Sequence, residues 1–216
     1  MSKYIQLSGN IEGGGFYDTA ASVFQAEIEC TKNIVFIATR MKDYEGNDLR
    51  KKLLVQGFSA AGIDFENAEI IDERTPQETQ KQLIEKASVI YLMGGETVTQ
   101  FAFLKENKLI DVLKNLDTLV IGLSAGAMNM AKQVTLPANP MREVPLNYEG
   151  IGLVDCTVLP HFNSQSEAFI QAKLLPLSHD KTVYGMHENG VILHKNGLAH
   201  FYGDIVKMKD GIILRD

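Results

Sequence analysis

Gly122-Leu-Ser-Ala-Gly126 matches the G-x-S-x-G pattern of a nucleophile elbow, a turn that holds a serine hydroxyl clear for attack on a carbonyl carbon. The pattern needs small flanking residues because the turn is tight and a side chain there would crowd it. The motif alone carries little weight; its setting carries more. Residues 118–123 form an apolar run typical of a strand buried on both faces, and the residues after Gly126 favour helix, with no proline before Pro137. Ser124 is therefore expected at a strand-to-helix turn, where the first N–H groups of the helix point to a developing oxyanion.

A serine nucleophile needs a base to take its proton and a carboxylate to orient that base. Of the five histidines, His179 lies in a polar stretch, His194 and His200 lie in the tail, and His187 adjoins Glu188. Only His161 directly follows an apolar β-run and a proline. Glu188 also sits just past an apolar strand. His187 and Glu188 cannot readily serve together, because neighbours in an extended segment point to opposite faces. The resulting order, Ser…His…Glu, differs from the Ser…Asp/Glu…His of α/β-hydrolases. Gly94-Gly95, at the end of another apolar run, reads either as a second oxyanion donor or as a plain turn between strand and helix.

The elements that must position these residues alternate in type. Strands are expected at 4–8, 33–39, 68–72, 88–93 and 118–123, with helices over 18–30, 47–57, 77–87 and 99–113 between them. This alternation predicts a three-layer, doubly wound α/β fold on a mostly parallel sheet, within a single domain over 1–216. Residues 134–148 contain three prolines and read as a surface loop or lid. Strands at 150–154, 157–160 and 182–186 and a helix over 167–177 follow. Short strands from 191 onward, separated by Lys195-Asn-Gly197, Gly203 and Lys209-Asp-Gly211, predict an antiparallel hairpin finish.

Composition narrows the functional classes. A net charge of −6 and a pI near 5.4 argue against nucleic acid as the main partner, which wants a basic face. They leave room for a small acidic substrate held by one or two cations, for which Arg40 and Arg142 are candidates. The glycine-rich loop Ser8-Gly-Asn-Ile-Glu-Gly-Gly-Gly15 lacks G-x-G-x-x-G spacing, and no Gly-Lys-Ser/Thr follows it. It reads as a flexible loop near a site, and no nucleotide cofactor is expected. No metal is expected either, since the histidines show no ligand spacing. The two cysteines, Cys30 and Cys156, give no disulfide framework and read as buried thiols. With no signal-peptide core and no run long enough to span a membrane, a cytoplasmic protein is expected.

Taken together, Gly122-Leu-Ser-Ala-Gly-Ala127, Met93-Gly-Gly95, Leu159-Pro-His-Phe162 and Glu188-Asn-Gly190 resemble the dipeptidase E and cyanophycinase family of serine peptidases. The resemblance implies a flavodoxin-like fold related to class I glutamine amidotransferases. It implies a triad of Ser124, His161 and Glu188, an oxyanion hole from the N–H groups of Gly95 and Ala125, and small peptide substrates with contacts from Gly94 and Asn163. An aspartate after the nucleophile helix is another possible third member in that family, but residues 131–148 hold only one acid, Glu143. The arginine that the dipeptidase E branch carries after the Pro-His-Phe motif is also missing, so strict specificity for N-terminal aspartate is not expected. Two alternatives share the same fold: an amidase or amidotransferase-like enzyme acting on a non-peptide amide, and a non-catalytic binding protein.

Overall fold

The structure is a computed structural model describing residues 3–140 and 143–214. Five parallel strands form its centre: β1 (Tyr4–Leu7), β2 (Asn33–Ile37), β3 (Asn67–Ile71), β4 (Val89–Leu92) and β5 (Leu119–Leu123). Their spatial order is β3-β2-β4-β5-β1. β4 and β5 are buried at every position, which accounts for their unbroken apolar runs. The chain moves outward from β2 to β3, then returns inside to β4. This reversal opens a crevice at the carboxyl ends of β2 and β4, where α/β sheets bind ligands.

Helices cover both faces. α1 (Asp18–Glu27) and α2 (Tyr44–Ala60) share one face, joined by Phe24 and Phe58 at a centroid distance of 5.2 Å. Phe16 packs on both rings, and Tyr91 of β4 meets Phe58 edge-on at 5.9 Å. Deleting a fully buried ring such as Phe58 would cost roughly 3–5 kcal/mol. α3 (Gln77–Lys86), α4 (Thr97–Glu106), α5 (Leu109–Lys114) and α6 (Ala125–Met130) contact one another on the opposite face. Right-handed crossovers from a reversing strand order require this division. The single helix expected over 99–113 is thus two. Asn107 folds its side-chain amide back onto the Phe103 carbonyl at 2.9 Å, and Lys108 then takes a left-handed conformation that ends the first helix.

The later part of the chain departs further from expectation. β8 (Thr157–Leu159) and β9 (Val183–Met186) leave the main sheet and pair in parallel in a second one, continued by β12 (Ile205–Lys209) and β13 (Ile212–Leu214). Between these, β10 (Val191–Lys195) and β11 (Leu198–Tyr202) return to extend the main sheet antiparallel beside β1. The hairpin tail is therefore split between two sheets.

Residues 134–148 are not loop throughout: β6 (Gln133–Leu136) and β7 (Leu146–Glu149) pair as a hairpin of their own. Pro137, Pro140 and Pro145 fall between these strands, where no ladder donor is lost. The expected strand at 150–154 reduces to one bridge between Ala131 and Val154. The helix expected over 167–177 is a succession of short α, π and 3-10 turns, with Pro176 at the start of the last. Cys156 is buried as expected, but Cys30 is exposed, because α1 stops at Glu27 and Cys30 falls in the turn beyond it. No described helix is long and apolar enough to cross a membrane.

Candidate active site

Ser124 follows β5 directly, with φ 47° and ψ −104°, a strained backbone that a non-glycine residue rarely adopts. Its N–H donates to the Leu7 carbonyl at 2.9 Å and its carbonyl accepts from Met128 N–H at 3.0 Å, so sheet and helix fix the turn from both sides. Gly126 lies so close to β4 that a Cβ there would come within 2.2 Å of the Leu92 carbonyl oxygen. At Gly122 a Cβ would meet the Met130 sulfur at 2.5 Å. Both glycines of the motif are thus required by close approach. α6 is short and buried throughout, and its first residue, Ala125, presents an N–H with no carbonyl partner inside the helix.

His161 and Glu188 arrive from the second sheet. Parallel pairing sets Leu159 beside Gly185, so the chain just beyond each strand emerges on the same side, carrying His161 and Glu188. Ser124 Oγ lies 2.8 Å from His161 Nε2, and His161 Nδ1 lies 2.8 and 2.9 Å from the Glu188 carboxylate oxygens. A carboxylate only accepts, so Nδ1 carries the proton and Nε2 is left to accept from the Ser124 hydroxyl. His187 turns away and stacks on Phe162 at a centroid distance of 6.0 Å, as alternation along the strand end requires.

Two residues with no chemistry of their own hold this pair in place. The Leu7–Leu123 and Leu7–Val191 registers put Ser8 beside the elbow on one side and beside the turn after Glu188 on the other. The fully buried Ser8 hydroxyl accepts from His161 N–H at 2.8 Å and donates to the Met186 carbonyl at 3.0 Å. Gly9 N–H donates to the Glu188 carbonyl at 3.2 Å, and a Cβ on Gly9 would fall 1.9 Å from Glu188 Oε2. His161 itself sits in the left-handed region, φ 59°. The loop at 8–15 therefore serves the site as a scaffold at its first two positions. Their place at the carboxyl end of β1 was the signal that could have marked them.

A cavity of about 380 Å³ opens beside Ser124 and His161. Met93, Gly94, Gly95 and Leu123 line one side, the loop from Gly9 to Gly14 another, and Arg50, Leu53 and Leu54 of α2 the rest. Gly95 has φ 130°, open only to glycine, and Thr39 Oγ1 donates to the Gly94 carbonyl at 2.8 Å, pinning this turn. Asn163 turns towards the acid rather than the cavity: its Oδ1 accepts from Glu188 N–H at 3.1 Å. Arg40 is exposed and outside the described cavity lining, and Arg142 lies outside the described residues. Glu143 lines a different depression, with Lys173 and Lys181.

His194 and Asp72 lie outside this cavity lining. Burial, with a smaller contribution from His200, pushes His194 down to about 4, and its Nε2 bonds Gln6 Oε1 at 2.9 Å. Burial alone would raise Asp72, but hydrogen bonds from Arg74 and Asn47 hold it below the usual carboxylate range. Among the described residues, no group of three or more His, Cys, Asp or Glu could hold a metal ion.

The model of peptidase family S51 matches residues 6–201. Peptidase E of Haemophilus influenzae (strain Rd) is 29% identical over 135 residues, which cover 57% of this chain and 62% of that protein, under two thirds of its length. Among solved structures, a peptidase from an acI-B1 Actinobacterium superposes with a TM-score of 0.72 at 20% identity, covering 97% of this chain and 91% of the other. A peptidase E-type protein from Listeria monocytogenes EGD-e gives 0.68 at 18% identity, covering 94% of this chain and 98% of its own. These structural likenesses speak for the fold, an α/β architecture on a mostly parallel sheet. With the family model matched from β1 through to β11, the chain belongs to peptidase family S51.

Proposed function

We propose that this protein is a serine hydrolase that cleaves peptide bonds of small peptides through an acyl-enzyme. The observation that carries this reading is the continuous hydrogen-bonded series Ser124–His161–Glu188, with links of 2.8 Å, at the wall of a ligand-sized cavity. Ser124 Oγ attacks the peptide carbonyl carbon as His161 Nε2 takes its proton. Glu188 keeps Nδ1 protonated and offsets the imidazolium charge. The N–H groups of Gly95 and Ala125 receive the oxyanion, His161 returns the proton to the leaving amine, and water completes the cycle by the same route. Family membership supports the peptidase class, and the two free cysteines fit the reducing cytoplasm as its setting.

Intact-mass labelling with a fluorophosphonate tests the reading. One adduct on Ser124 is expected, absent from Ser124→Ala and strongly slowed in His161→Ala. No adduct on the wild type overturns the reading in favour of a binding protein. A labelled serine without dipeptide hydrolysis would instead direct the search to non-peptide amides.

A further inference from the structure

The two N–H groups proposed to receive the oxyanion come from different elements. Gly95 lies in the turn between β4 and α4, and Ala125 is the first residue of α6. An oxyanion hole works when its donors already stand where the charge will develop, so their spacing must be fixed before the reaction. That spacing depends on how α4 is held against α6.

Two side-chain amides run between these elements. Gln100 of α4 and Asn129 of α6 are both fully buried. Gln100 Nε2 lies 3.1 Å from the Ile37 carbonyl oxygen, 3.4 Å from that of Ala38 and 3.3 Å from that of Met93, at the carboxyl ends of β2 and β4. Met93 leads directly into the Gly94-Gly95 turn. Gln100 Oε1 accepts from Asn129 Nδ2 at 3.1 Å, and the same amide donates to the Thr97 carbonyl, at the start of α4, at 2.9 Å. Asn129 Oδ1 accepts from the Tyr148 hydroxyl of β7 at 2.7 Å, and Tyr148 packs on Phe101 of α4 at a centroid distance of 4.9 Å. Each of the two amides is thus partnered on both its oxygen and its nitrogen. A buried network of this kind admits one arrangement, because a slip of either helix leaves an amide group without its partner. An apolar pair would fill the same space and tolerate the slip.

The ends of the network coincide with the two sides of the oxyanion hole. Gln100 grips the strand end that delivers Gly95, and Asn129 lies about one helical turn beyond Ala125. We infer that Gln100 and Asn129 are positioning residues that fix the Gly95 and Ala125 N–H groups relative to each other, acting on the oxyanion rather than on proton transfer. Neither side chain belongs to the cavity lining, and their effect passes through the two turns. The inference rests on the serine-hydrolase reading, and its test separates the two.

The test compares wild type with Gln100→Met, Asn129→Leu and the double variant, using the rate of fluorophosphonate inactivation followed by intact mass. The phosphoryl oxygen of this probe takes the place of the oxyanion, and the pH dependence of the rate constant reports the His161–Ser124 pair. Gln80→Met on α3 serves as the control, since Gln80 is also a buried glutamine, bound to the Thr75 carbonyl at 2.7 Å and outside the cavity lining. Each single variant should react about 10–100-fold more slowly, with the midpoint of the pH profile unchanged. The double variant leaves neither amide facing an apolar partner, so it should regain melting temperature lost by the single variants without regaining rate. Its rate should fall no further than that of the slower single variant, as expected of residues that act as a pair. Gln80→Met should lower the melting temperature and leave the rate constant unchanged. A double variant that folds and reacts within about twofold of wild type overturns the inference. So does a midpoint that moves with the rate, which would assign the loss to His161, or an equal loss in Gln80→Met, which would assign it to general loosening. If the wild type takes no label, the serine-hydrolase reading fails and the inference falls with it.

Discussion

The proposed nucleophile and its proposed base belong to two differently built regions. Ser124 stands on the most deeply buried part of the main sheet, and its geometry is set within a few residues, by β5, by the glycines on either side and by the start of α6. His161 and Glu188 hang from the shorter second sheet, on strands of three and four residues, and their side chains remain 42% and 29% exposed. Contacts distant in sequence join the two regions: Ser8 to His161 spans 153 residues. A nucleophile fixed locally and a base fixed remotely can fail independently. The serine should survive disturbances of the seam that disable the base.

Three substitutions would sharpen or break this contrast. Glu188→Gln keeps the shape but removes the charge, and should lower dipeptide turnover by on the order of 10⁴-fold, close to the loss seen when a triad carboxylate is neutralised. Steady-state kinetics against a dipeptide panel would measure it. A variant retaining more than a tenth of wild-type activity would mean that Glu188 is not the orienting group. Gly9→Ala tests the seam itself. The new methyl would displace the Glu188 carboxylate from His161, and turnover should fall about 10²–10³-fold with the far-UV circular dichroism unchanged. If Gly9→Ala also removed the fold, the seam would be structural rather than a local support of the base.

The smallest effect concerns β10, one strand in from the edge of the main sheet. His194 is held neutral in the folded protein down to about pH 4, whereas the unfolded chain takes up the proton near pH 6.5. Between those values the unfolded state binds more protons. Stability is therefore fully present above about pH 6.5 and falls as the pH drops towards 4, by on the order of 2–3 kcal/mol from this group. Urea melts across that window should show the decline, and His194→Gln should flatten it. An equally steep decline in the variant would assign the acid sensitivity elsewhere.

The regions also differed in what their sequences disclosed. The elbow was legible because strand, motif and helix are contiguous, and the chemistry of the turn is written in its own glycines. His161 and Glu188 were legible as residues that end apolar runs, yet the sheet that carries them was not. A three-residue strand such as Thr157–Leu159 looks the same in sequence whether it joins the main sheet or starts another. The hairpin over β6 and β7 was hidden by its prolines, which break the run without breaking the pairing. Ser8, Gly9 and Thr39 were not recognised, because what they do depends on which strand ends are neighbours, and the sheet order alone decides that.

The order of β1, β5 and β10 has a consequence for how the protein is made. β1 is the first strand synthesised, but its two neighbours are completed only after residues 123 and 195. The Ser8 and Gly9 contacts to the His161 and Glu188 loops need both neighbours in place. During synthesis, the elbow can form well before the groups that would activate it. On the proposed mechanism, a chain still emerging would carry an inert serine, and competence would arrive only when β10 closes beside β1, with the scaffold around the site nearly complete.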